Sequence, residues 1–96
     1  MKTNVMVRST NAGVFYGKLV SRDGDVVILK KARRVWYWKG AATLSELATE
    51  GTSAPRECKF PAPTEGEHMI LGVTEILPVT DRALEVLDAV PVWKES

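Results

Sequence analysis

At 96 residues, with 45% apolar and 26% charged residues, the chain reads as one globular domain over 1–96 with a modest core. A single cysteine, Cys58, excludes an internal disulfide, and no apolar run approaches the roughly 18 residues of a transmembrane helix. The net charge of +1 hides a division: residues 1–60 carry eleven Lys/Arg against five Asp/Glu, and residues 61–96 carry two against seven. A basic first half suits an anionic ligand; it equally suits head-to-tail pairing of subunits, or solvated faces that segregate by chance. Met1-Lys2-Thr3-Asn4 opens no signal-peptide core, and one free thiol fits a reducing compartment, so a cytoplasmic protein is expected, with no membrane contact.

Val5–Arg8 is short and β-prone, and Asn11-Ala12-Gly13 is a turn. Val14–Val20 reads as a strand, with Gly17 marking a bend or a close backbone approach. Arg22-Asp23-Gly24-Asp25 is a hairpin signal. The return strand is expected from Val26 to Trp38, broken by a bulge or bend at Lys30-Lys31-Ala32, since about 13 residues is long for a strand. Thr43-Leu44-Ser45-Glu46 is a capping box, which predicts a helix over Leu44–Glu50 stopped by Gly51. Thr52–Pro63 is a proline-framed loop in which Phe60 is either a core anchor or a stacking ring. Met69–Leu77 predicts one more strand. Thr80 caps a second helix, Asp81–Val90, and Val92-Trp93 is a short terminal strand or docked tail. The order predicts an α+β domain: a small curved antiparallel sheet or partly open β-barrel with two short helices.

The most informative stretch is Arg33-Arg34-Val35-Trp36-Tyr37-Trp38. Strand alternation puts Arg34, Trp36 and Trp38 on one face, and Arg33, Val35 and Tyr37 on the other. The tryptophans hold the larger apolar area, so at least one is expected in the core, with Arg33 and Tyr37 turned away; a bulge would reverse that assignment. Arginine forks grip phosphate and aromatic faces stack on nucleobases, so Arg33, Arg34, Trp36, Trp38, Phe60, Arg8 and Lys59 are the candidate ligand-binding residues. The alternative is that the tryptophans are core and the arginines solvated or ion-paired. Neither His68 nor Cys58 stands in a nucleophile motif, no metal-ligand set or phosphate loop is present, and no catalytic residue, metal or cofactor is expected.

The runs Ala12-Gly13-Val14-Phe15-x-Gly17-x-Leu19, Ser21-Arg22-x-Gly24, Ala32-Arg33-Arg34-x-Trp36-Tyr37-Trp38-x-Gly40-Ala41-Ala42-x-Leu44-Ser45-x-Leu47 and Cys58-Lys59-Phe60-Pro61 resemble a family of small bacteriophage and prophage proteins, mostly of unassigned function. The chain is also similar to the Thoeris anti-defence sponge proteins, oligomers that hold cyclic nucleotide or cyclic ADP-ribose immune signals without cleaving them. That resemblance implies a nucleotide second messenger bound between subunits, with Arg34 on its phosphates and Phe60 stacked on its base. The expectation is therefore a phage-encoded, non-enzymatic homo-oligomer that sequesters such a signal in the host cytoplasm. Two rivals remain open: a single-stranded nucleic-acid-binding module, and a protein–protein inhibitor of a host enzyme using the Trp/Tyr/Arg cluster as a hot spot.

Overall fold

Gly17 and the residues opposite it set the shape of the sheet in the computed structural model, which describes residues 3–94. Strands β1 (Asn4–Ser9), β2 (Gly13–Asp23) and β3 (Val26–Arg34) form an antiparallel meander. Asp23 pairs with Val26 around a Gly24-Asp25 tip, so the hairpin forms as expected but turns one residue later than the Asp23-Gly24 centre. The β2–β3 register slips between Tyr16 and Lys18, opposite the expected bulge at Lys30-Lys31-Ala32. A Cβ on Gly17 would sit 2.9 Å from the Lys30 carbonyl oxygen and 3.1 Å from the Ala32 Cα, so the two backbones meet where only glycine fits. Lys31 accommodates the bulge with a left-handed φ of 54°.

Strands β4 (Glu67–Ile70) and β5 (Val73–Pro78) complete a five-stranded sheet of order β4-β3-β2-β1-β5 that does not close into a barrel. This corrects the single strand expected over Met69–Leu77. β4 and β5 occupy opposite margins, yet only Leu71 and Gly72 separate them. Three residue steps span at most about 11 Å, whereas a flat five-stranded sheet holds its margins about 19 Å apart. The sheet must therefore curl strongly. Gly72 turns the corner at φ 68°, and the Thr10 N–H and Ser9 hydroxyl donate to the Gly72 and Leu71 carbonyls at 3.1 and 2.6 Å. The Val73 N–H reaches the Asp25 carbonyl at the β2–β3 tip, 2.9 Å away.

Alternation along the strands divides the core in two. Inside the curl lie Val5, Val7, Phe15, Val27, Leu29, Ala32 and Ile70. On the other face, Met6, Tyr16, Val35 and Phe60 pack against α1 (Leu44–Glu50) and α2 (Asp81–Asp88) through Leu44, Leu47, Ala48 and Leu87. Both helices start where the capping signals place them. The Glu46 N–H donates to the Thr43 hydroxyl at 3.1 Å, while the Glu46 carboxylate accepts from Ala42 rather than from Thr43. Thr80 accepts from the Ala83 N–H at 3.1 Å and donates to the Thr49 carbonyl at 2.6 Å, tying α2 to the end of α1. α2 stops at Asp88, two residues before the expected Val90.

β3 ends at Arg34, not Trp38. The Trp36 and Tyr37 N–H groups both turn to the Lys59 carbonyl, and the tail docks by a Trp93 N–H bond to the Phe60 carbonyl at 2.9 Å. Among the described residues no helix is long and apolar enough to cross a membrane. Met1 and Lys2, where the signal-peptide reading begins, lie outside the described residues.

Candidate functional site

The two adjacent arginines have opposite fates. Arg33 is 4% exposed and spends all five N–H donors on the chain itself. Nε donates to the Pro61 carbonyl (2.9 Å), Nη1 to the Leu87 carbonyl (3.1 Å) and Tyr16 hydroxyl (3.3 Å), and Nη2 to the Phe60 and Val90 carbonyls (3.2 and 2.8 Å). Two of these acceptors lie at the C-terminal end of α2, where a cation is favoured by the orphan carbonyls. Arg33 is thus a clamp between sheet, loop and helix, with no donor left for a ligand. This corrects the expectation that Arg33 faces away from the core. Val35, on the same side, is buried, and the guanidinium follows it inward because five acceptors await it. The Tyr16 hydroxyl accepts from Arg33 and donates to Asp88 Oδ1 at 2.9 Å. Burial raises its pKa most; the Arg33 contact opposes that shift and the Asp88 bond adds to it.

Arg34 leaves the sheet on the other side. Its guanidinium carbon lies 4.4 Å from the centre of the buried Phe15 ring, and one Nη1 hydrogen goes to the Ala12 carbonyl. Among the described residues no carboxylate lies within ion-pair distance of it. It lines a cavity of about 350 Å³ at the mouth of the curl, with Phe15, His68, Asn11 and an exposed apolar rim of Met69 and Leu71. The His68 ring meets Phe15 edge-on at 5.0 Å, and its Nδ1 lies 3.0 Å from the Thr64 hydroxyl. A planar cation beside a histidine, over an aromatic floor, can hold an anionic group carried on a flat or apolar body.

Two residues further along, the side chains build an exposed aromatic platform. Trp36 stacks on Trp93 with ring centres 5.1 Å apart and planes 9° from parallel. The Lys59 ammonium sits 5.5, 5.8 and 5.7 Å from the rings of Trp36, Tyr37 and Trp93. Trp36 remains 59% exposed and Tyr37 46%. Trp36 is therefore the outward tryptophan; Trp38 is half-buried against the helix-side core and donates from Nε1 to the Ala41 carbonyl at 3.2 Å.

Of the sequence-predicted site residues, Trp36 and Lys59 come together, with Arg34 beside them in the chain. Phe60 is fully buried, tilted against Tyr16 at 6.2 Å and under the Arg33 guanidinium at 5.4 Å, so it is the core anchor rather than a free stacking ring. Arg8 pairs with Glu75 at 3.3 Å on the open sheet, a contact that adds little to stability. Sequence reasoning missed Phe15, His68 and Trp93. Phe15 pairs with Arg34 across strands, a relation visible only once the register is known. No curated protein and no solved structure matches the chain. Over residues 2–87 it matches the family described as a domain of unknown function, DUF6948, and it belongs to that family.

Proposed function

We propose that the protein binds and sequesters a small nucleotide-type ligand without cleaving it. The observation that carries this reading is the pairing of the open Trp36–Trp93 stack with the Arg34 cavity, two residues apart in the chain. A base stacked on Trp36 gains about 1–3 kcal/mol, and a phosphate gains charge-assisted hydrogen bonds from the Arg34 donors that face the cavity. The base-stacking role first assigned to Phe60 passes to Trp36, because Phe60 is buried. Resemblance to the Thoeris anti-defence proteins narrows the proposal. The ligand is a cyclic nucleotide or cyclic ADP-ribose immune signal, held by a phage-encoded homo-oligomer in the host cytoplasm.

Titration calorimetry with cyclic di- and trinucleotides and cyclic ADP-ribose isomers tests it. At least one ligand gives saturable heat and is recovered intact by chromatography. Arg34→Ala and Trp36→Ala each weaken that binding at least about tenfold, a loss of about 1.4 kcal/mol, with little change in Tm. Absence of heat across the panel ends the proposal. The same exposed platform favours a second reading, single-stranded nucleic-acid binding; affinity that rises with oligonucleotide length and falls steeply with salt would select it.

A further inference from the structure

A second cavity, of about 330 Å³, opens on the helix face of the sheet, between α2 and the β2–β3 bulge. Its polar lining is the Tyr16–Arg33–Asp88 network together with Asn4, Lys18 and Lys31, and Leu84 and Val90 supply apolar wall. Among the described residues Asp88 is the one carboxylate in that lining, and it already accepts from Tyr16. The buried Arg33 charge is met by carbonyl dipoles and a phenol, not by a carboxylate, so the cleft keeps a positive field.

Lys31 makes the cleft more than a basic dent. Among the described residues it is the one non-glycine with a left-handed backbone. The close approach at Gly17 accounts for the bulge, but it asks only for a left-handed residue at that point, which glycine supplies without strain. A lysine lacks the short polar group with which Asn or Asp offsets such a conformation locally. The Lys31 side chain also makes no hydrogen bond or ion pair among the described residues, so no side-chain partner offsets the strain. The bulge explains the left-handed backbone but not the choice of lysine for it. A strained residue whose charged side chain has no internal partner, at the edge of a cavity, points to a side chain that acts on something else.

We propose that this cleft is a second binding site, for a small phosphate or phosphomonoester carried on an apolar body, with the Lys31 ammonium as its anion contact. The site is independent of the Arg34 cavity, which lies on the other face of the sheet.

Amide NMR titrations with phenyl phosphate and with inorganic phosphate test it. Phenyl phosphate shifts the amides of Lys31, Leu84 and Val90 saturably, and inorganic phosphate shifts the same amides at higher concentration. Lys31→Gly and Lys31→Gln each weaken binding at least about tenfold. Lys31→Gly melts at or above the wild-type temperature, because relief of backbone strain offsets the freedom that glycine adds to the unfolded chain. Arg34→Ala leaves these shifts unchanged. The proposal is overturned if no saturable shift localises to the cleft, if both Lys31 variants bind as wild type, or if Arg34→Ala removes the effect. A lower Tm for Lys31→Gly removes the strain argument and overturns it as well.

Discussion

Arg33 and Arg34 are indistinguishable as letters, and their difference is decided by where each guanidinium finds partners. Arg33 reaches four carbonyls and a phenol; Arg34 reaches one carbonyl and a ring face. Truncating Arg33 strands buried acceptors on Pro61, Phe60, Leu87 and Val90. Arg33→Ala is therefore expected to cost about 3–5 kcal/mol, read as a large drop in the urea midpoint. Arg33→Lys does not restore it, because an ammonium offers three donors without the planar fork. Nothing in the local sequence distinguishes the two arginines, since the acceptors of Arg33 come from residues 60–61 and 87–90. The exposed ring was equally hard to choose between Trp36 and Trp38, because the bulge and the turn toward Lys59 break the alternation that would have ranked them.

Elements specified by neighbours in sequence were legible. The β2–β3 hairpin stands within one residue of the Asp-Gly signal, and the Thr43 and Thr80 caps and both helix starts stand where capping chemistry places them. Elements that end because of distant partners were not. β3 stops at Arg34 because the Lys59 carbonyl takes the next N–H groups, and β4 breaks from β5 because Ser9 and Thr10 hold the corner at Leu71-Gly72. The bulge belongs to both classes: foreseen from Lys30-Lys31-Ala32, it is enforced by Gly17 across the ladder. Gly17→Ala pushes a methyl group against the Lys30 carbonyl and the Ala32 Cα, both backbone atoms that cannot swing aside. The expected cost is about 1–3 kcal/mol in chemical denaturation, with amide shifts concentrated at residues 29–33.

For the whole molecule, Tyr16 sets an alkaline limit. Its folded pKa lies above its unfolded value near 10, chiefly through burial, so the native state keeps a proton that the unfolded chain releases. The associated stability is fully present below about pH 10 and is lost as pH rises from there toward the folded pKa, at about 1.4 kcal/mol per unit. Urea midpoints between about pH 8 and 11 should show this decline in the wild type. Tyr16→Phe should flatten it while lowering neutral stability by about 1 kcal/mol, since Arg33 and Asp88 each lose a partner. The corner at Leu71-Gly72 has a consequence for biosynthesis. β5 pairs with β1 and is made about 65 residues after it, so residues 4–9 leave the ribosome long before their outer neighbour exists. Until β5 has been made, the nascent β1–β3 meander carries a bare flank open to other chains, and only β5 seals it.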